Sequence, residues 1–350
     1  MIPRRYARAL CCFTLSFLLW SSTALADESP EFQDAASASE VSLPEPAPIH
    51  LNFDLEVGVS TWLSQGHTKW SHDASSLNPA LGNPTSELEY KELWTNVVQL
   101  DGQATFRNGV FGRTQIGLGY STIKDGTLID DDFASGQVLA SRTESEVTDE
   151  ALWYVNVDVG IEVFRFAGDR GIIRAFLGYQ HWEEEVAARG VTQLVSNGAA
   201  CVAIGITCSP VGTVTNVGQR VITNKVTWDS FRIGLEGAFQ ITRQVSVEGH
   251  TAFIPYTHLY NEDIHHLRAD LRQDPSFSMS GSGIGVDAEA AVSYKILPPL
   301  SFNVGFRFWW LRVEDGTWVN YPVSSPPSTA NLNEFESARY GTTVGFAYEF

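Results

Sequence analysis

The 350-residue chain carries 41 acidic against 23 basic residues, a formal charge of −18, with four cysteines. An acidic excess of that size argues against nucleic-acid binding, which needs a basic footprint. Past the N-terminus no apolar stretch of about 18 residues occurs, so no transmembrane helix is expected.

Arg4, Arg5 and Arg8 precede an apolar run from Ala9 to Trp20 that is too short to cross a bilayer, and Ala24-Leu25-Ala26 follows as a small-x-small cleavage site. Residues 1–26 therefore read as a secretory signal peptide. Cys11 and Cys12 would leave with it, and no small-residue lipobox precedes either. The chain that remains, from Asp27, holds 20 basic and 41 acidic residues once the three arginines are removed, a charge of −21. Residues 27–49 are rich in Ser, Ala, Pro and Glu without periodicity and read as a disordered tail. In an exported chain, Cys201 and Cys208 are expected to form a small loop disulfide.

From His50 onward apolar and polar residues alternate. Between 151 and 164, Trp153, Val155, Val157, Val159, Ile161 and Val163 share one face, and Asn156, Asp158 and Glu162 share the other. Phe302, Val304, Phe306, Phe308 and Trp310 likewise oppose Asn303 and Arg307. This is the period of a strand. A soluble sandwich alternates too, but over about 3–10 residues per strand, whereas several runs here reach 15 to 25 residues. Charges recur on one face of nearly all of them, including Arg174, Glu236, Glu248, Asp287 and Glu289. An apolar outside around an ionisable inside is the pattern of a transmembrane barrel. The final segment alternates from Tyr340 to a terminal Phe350, in keeping with that class.

About ten strands are predicted, near 50–64, 86–107, 110–124, 143–167, 171–188, 217–242, 244–260, 274–297, 299–314 and 333–350. The fold class is an all-β, antiparallel transmembrane β-barrel over 50–350. Asn108-Gly109, Gly168 to Arg170, Thr242-Arg243 and Pro298-Pro299 suit tight periplasmic turns. The breaks near 65–85, 125–142, 189–216, 261–273 and 315–332 suit extracellular loops. Trp309 and Trp310 are expected in an aromatic girdle, and His250 and Glu248 in a polar lumen.

Two clusters can carry chemistry. Asp263 and His265 are two residues apart and point the same way on an extended rim. A carboxylate beside an imidazole fixes its tautomer and lets the other nitrogen take a proton from water. Asp130 and Asp132 share a face while Asp131 points away, and strand parity brings both clusters to the same rim. A solvated acidic loop or a calcium site would use the same residue types. His258 and His266 are expected at the rim without a metal role.

Several stretches resemble the omptin family of outer-membrane proteases. They are Ser86-Glu87-Leu88-Glu89-Tyr90-Lys91 against Ser-x-Leu-Asp-Trp-Lys, Ile129-Asp130-Asp131-Asp132-Phe133 against Val-Asp-x-Asp-Trp, Gly178-Tyr179-Gln180 with Ala188-Arg189-Gly190, and Asp263-Ile264-His265 against Asp-x-His. The resemblance implies a ten-stranded aspartic endopeptidase. In it Asp263 and His265 would activate water, facing Asp130 and Asp132. It implies no metal or organic cofactor, an expected monomer in outer-membrane lipid, peptide or protein substrates, and lipopolysaccharide as a candidate activator. Two positions depart from the family's acidic substrate pocket, Asn261 and Trp70. Of its lipid motif Tyr179 is retained, while His181 and Glu183 differ. The alternatives are a catalytically silent barrel acting as an adhesin or surface structural protein, and a small porin.

Overall fold

The structure, a computed structural model, describes residues 53–120 and 126–350. The expected signal peptide and tail lie outside these residues, as do the start of the first expected strand and the end of the third. The strands, in chain order, are β1 (Phe53–Asp73), β2 (Ser86–Phe106), β3 (Val110–Tyr120), β4 (Gly126–Ala134), β5 (Val138–Phe166) and β6 (Gly171–Ser196). After a six-residue helix, α1 (Gly198–Ala203), come β7 (Val214–Gln240), β8 (Val245–His265), β9 (Phe277–Leu297), β10 (Leu300–Asn320) and β11 (Ser328–Glu349).

All pairings are antiparallel, and β1 pairs with both β2 and β11, so the sheet closes on itself. β3 and β4 both lie between β2 and β5, β3 along Asn96–Thr105 and β4 along Ser86–Lys91 of β2. They are two halves of one stave. Eleven strands thus make ten staves. The four short turns fall where the sequence places them, all at one end of the barrel.

A strand of 21 residues such as β1 is on the order of 70 Å long at about 3.3 Å per residue. Tilted by about 40°, it rises roughly twice the height of an apolar band of about 25 Å. The outer surface divides accordingly. Around the lower half, Val59, Val98, Val159, Leu235, Val292 and Phe306 are exposed in an apolar belt. Above it the outward positions turn ionic: Lys69 faces Glu334 at 3.6 Å, Arg312 meets Glu334 at 2.9 Å, and Lys225 meets Glu183 at 3.3 Å.

Strands continue through this ionic crown. β1 runs to Asp73, β8 to His265 and β10 to Asn320, while β4 and β5 occupy most of 125–142. The breaks read as long loops near 65–85, 125–142, 261–273 and 315–332 are therefore substantially strand. Outside a bilayer both faces of a strand can be polar, so the alternation fades while the hydrogen-bond ladder persists.

The lumen is packed. Asp158 lies between Arg113 at 2.7 Å and Arg232 at 3.4 Å, and Asp287 holds Arg232 and Arg307 at 3.0 Å each. Glu236 joins Arg113 at 2.5 Å to Arg174 at 2.6 Å. Above this belt Trp182 stacks on Trp309 at 3.9 Å and on Tyr154 at 5.1 Å, and the Arg307 guanidinium covers Trp62 and Tyr154. Trp309 is thus inside the barrel, its Nε1 donating to Gln180 at 2.8 Å, and not in an outer girdle. Trp310 alone of the pair faces out. Two adjacent tryptophans on a strand cannot share a face. A cavity of about 640 Å³ lies at the short-turn end, lined in part by Asp54, Glu56, Glu248 and His250.

Arg307 is fully buried and also donates to Gln99 at 2.9 Å. Arg307→Ala would take one of its two arginines from Asp287 and a donor from Gln99 and Tyr154, and should lower the unfolding free energy by about 3 kcal/mol. Denaturant titration in detergent would show it.

Candidate functional site

The rim end of the lumen brings the two acidic clusters to facing walls. On β4, Asp130 lies opposite Leu88 and Asp132 opposite Ser86 of β2. Leu88 and Ser86 are buried inward residues, so Asp130 and Asp132 point inward with Leu128. Asp131 points out and binds Arg142 on β5 through two hydrogen bonds of 2.6 and 2.7 Å. Neither aspartate is on a loop.

A corner between two connections holds the end of β4. Phe133 N donates to Thr85 O, Ser135 N to Ala80 O and Gly136 N to Leu81 O, at 2.9, 2.8 and 3.2 Å. The approach needs two glycines. Gly82 and Gly136 both have positive φ, and a Cβ on Gly136 would lie 2.3 Å from Asn83 O.

Across the lumen, Asp263 and His265 end β8. Asp263 Oδ2 and His265 Nε2 are 3.0 Å apart, with Asp263 fully buried. Ser276 secures the pair from β9's approach: its Oγ accepts from His265 N, and its N–H donates to Asp263 O, both at 3.0 Å. The imidazole stands edge-on to Phe277 at 4.9 Å, Phe277 stacks on Trp318 at 5.0 Å, and Trp318 stacks on His72 at 4.3 Å. This aromatic row fixes the ring plane and keeps water from its flank. Burial pushes His72 down to about 4 against the pull of Asp73, so it is a neutral part of the wall at physiological pH.

The electrostatics link the two walls. Burial pushes Asp130 up to about 8, helped by the charges of Asp132 and Asp263 and opposed by His265. Asp132 is also raised, first by burial, with the Ser86 hydroxyl and His265 pulling the other way. Burial alone would lower the pKa of His265, but the charge and hydrogen bond of Asp263, with Asp130 beyond, raise it above its ordinary value. Asp130 and Asp132 together therefore carry less charge than their ordinary pKa values would give, and the β4 pair retains a proton near neutrality.

The remaining expected site residues fall in different places. Asn261 is fully buried and spends its amide on Asn224 Oδ1 and Lys225 O, both at 3.0 Å. Trp70 lies on the inward face of β1, almost wholly buried, in the same packed core as Leu88, Trp228 and Phe335. Tyr179 is on the outer wall, exposed, with its hydroxyl donating to Asp229, which also meets His181 at 2.8 Å. His258 faces outward and His266 bonds Thr223 at 2.9 Å. Cys201 and Cys208 are joined by a disulfide beside α1. No group of three or more metal-ligating side chains occurs among the described residues. Sequence reasoning missed Ser276, Phe277, Trp318 and His72. Their role is tertiary, and only their polarity pattern near the dyad hinted at it.

No family model matches the sequence, and no curated protein matches it. Among solved structures the chain is similar to the outer membrane protease OmpT from Escherichia coli, with a TM-score of 0.68 and 13% identity over 86% of this chain and 99% of that one. The fold is that of a bacterial outer-membrane β-barrel. Looser likenesses are to the translocator domain of the autotransporter NalP from Neisseria meningitidis (TM-score 0.36, 11% identity, 86% of this chain, 90% of that one) and to Ail, the attachment invasion locus protein of Yersinia pestis (0.28, 8%, 84% and 98%). These two carry no weight. At such identities likeness speaks for the fold alone, and what the barrel does rests on its own side chains.

If the glycine corner places β4, Gly136→Val should cost at least about 1–2 kcal/mol through its left-handed backbone alone. Hydrogen exchange should then quicken at the Phe133 and Ser135 amides while the belt strands stay protected. Unchanged exchange at those two amides would refute the assignment.

Proposed function

We propose that the protein is an outer-membrane endopeptidase that hydrolyses peptide bonds at its extracellular rim. The observation that carries this reading is a buried Asp263–His265 pair at 3.0 Å whose imidazole also senses Asp130 and Asp132 on the opposite wall. The distant fold likeness to a protease agrees with it but adds nothing about chemistry.

With Nε2 engaged by Asp263, Nδ1 of His265 is the nitrogen that accepts a proton. A water between the walls gives that proton to Nδ1 as its oxygen bonds to the peptide carbonyl carbon. The carbonyl π electrons move onto the carbonyl oxygen, where the protonated member of the Asp130–Asp132 pair donates a hydrogen bond. The C–N bond then breaks, its electron pair leaves with nitrogen, and that nitrogen takes the proton from His265. Each element is general acid–base catalysis by groups whose pKa values have been moved toward neutrality.

Two features narrow the substrate. Asn261 and Trp70 put no carboxylate where a basic side chain would seek one, so a charge-assisted grip on Arg or Lys is missing. Cuts should follow neutral residues in preference to basic ones.

Removing the base by His265→Ala should lower kcat by about 10²–10⁴-fold while heat-modifiable mobility on a gel is kept. The assay is a diverse peptide library read by mass spectrometry, with and without lipopolysaccharide. Identical cuts from the wild-type and His265→Ala barrels would remove His265 as the base, and no cuts from a folded wild-type barrel would make the silent surface barrel the better reading. Discrete conductance steps in a planar bilayer would instead mark a porin, which the packed lumen argues against.

The rate should be bell-shaped in pH. His265 works only when neutral, so activity falls as pH drops through its raised pKa, at a value above 6.5. The β4 pair must keep a proton, so activity falls again as pH rises past about 8. A flat profile between pH 6 and 9 would remove these role assignments.

A further inference from the structure

Tyr90 sits on the inward face of β2, opposite Thr68 of β1 and Leu128 of β4, two residues from the Leu88 that faces Asp130. It is fully buried, and its hydroxyl has no hydrogen-bond partner among the described residues. Asp263, on the other wall, is in the same position: one carboxylate oxygen holds His265, and the other, Oδ1, is buried without a partner. A phenol is a donor and a carboxylate an acceptor, so both retain capacity for one more oxygen. Most buried polar groups find partners. The indole N–H groups of Trp62, Trp70, Trp182, Trp228 and Trp318 are also unpartnered, and Tyr90 shares the packed core with them. Tyr90 is set apart by its place and its chemistry. It pairs with Leu128 of β4, two residues before Asp130 on the same inward face, it carries a hydroxyl, and the charges that act on it are Asp263 and Asp130.

We infer that the Tyr90 hydroxyl is a hydrogen-bond donor to the reacting oxygen of this site, the water before attack and the oxyanion after it. The inference rests on the peptidase reading. Burial, then Asp263 and Asp130, raise the phenol's pKa well above its ordinary range. It therefore stays a neutral donor at every working pH and transfers no proton. It supplies a second donor where the Asp130–Asp132 pair has one proton to offer. The motif that this stretch resembles has Trp here, so the hydroxyl is a property of this chain.

The test is Tyr90→Phe, which removes one oxygen and keeps the ring, in the refolded full-length mature barrel. Loss of an oxyanion donor costs about 10²–10³ in rate. The expected result is kcat lower by about 10²-fold with KM within about twofold. In parallel, the His265 ring is titrated by NMR. Asp263, Asp130, Asp132 and Arg268 all act on that ring and are unchanged by the substitution. Losing a donor near Asp263 should let its charge bear more fully on His265 and raise the imidazole pKa. Unchanged kcat and an unchanged titration in a folded Tyr90→Phe barrel would overturn the inference. Should that variant fail to fold, Tyr90→Leu removes the hydroxyl and supplies no other donor, and full kcat in it would overturn the inference too. A wild-type barrel that cuts nothing defeats the peptidase reading. The titration alone then judges Tyr90: no shift rules out its link to the dyad, and a shift supports it.

Discussion

Closure of the ladder between β1 and β11 is the constraint on which the rest depends. In hydrocarbon no water is available to satisfy an exposed backbone N–H or C=O, so a sheet that crosses a bilayer can have no edge. A closed antiparallel ring has a period of two along every strand, which assigns each side chain either outward or inward. The outward set must then be apolar through the belt, as Val59, Val159 and Phe306 are. Polar residues are left only the lumen, and the lumen of a ten-stave barrel is narrow. Charges forced into it must pair with one another. Asp158 and Asp287, each shared between two arginines, are the consequence.

Above the belt the constraint relaxes on one side only. The outer wall of the crown meets water, so ion pairs such as Arg312 with Glu334 replace valine and phenylalanine there. The inner wall remains packed, with Trp70, Trp228 and Phe335 below the rim. The acidic clusters sit where these regimes meet. They are buried enough for desolvation to raise Asp130 and for the Asp263 charge to raise His265, yet they lie at strand ends near the rim. Deeper in the lumen the same carboxylates would demand arginine partners, and farther out they would be solvated and unperturbed.

That geometry explains what could be read from the sequence and what could not. Period-two alternation in the belt is enforced by solvent on both faces, so the strands at 151–164 and 301–310 and the four tight turns were legible. Asp263 and His265 were legible because they are neighbours on one strand, where spacing alone fixes their direction. In the crown the outer face loses its apolar signal, so Asp130 and Asp132 looked like a loop although they lie on β4. Trp309 looked like half of a girdle, because an aromatic residue suits a lipid interface and a packed lumen equally well. The partners of Asp158 or Asp287 lie 55 or more residues away on some sides, as Arg232 does from Asp287, and no local pattern encodes them. Tyr90 stood inside a recognised stretch, but its significance lies in an unfilled bond that no sequence shows.

A barrel fold at 13% identity to a protease is compatible with enzymatic and non-enzymatic lives alike. The weight lies with the energetic cost of the rim. Placing Asp130 and Asp132 together at the rim destabilises the folded state as pH rises from the ordinary carboxylate range to about 8, because the folded chain holds a proton that the unfolded chain releases. Replacing one of them by Asn would relieve that cost at no change in size, and this chain does use a neutral Asn261–Asn224 pair a few residues away. Elsewhere in the lumen the fully buried acids have arginine partners, as Glu184 has Arg339 at 2.7 Å, while Asp101 is held by the amides of Gln99 and Gln115. At the rim the counter-charges within reach are an imidazole that titrates and Arg268, which also binds Asp270. Local cost without a local structural return is expected where a site has work to do. Of the two lives the fold allows, the proposed peptidase would use a movable proton at these residues, whereas a barrel that only displays a surface would have no need of one.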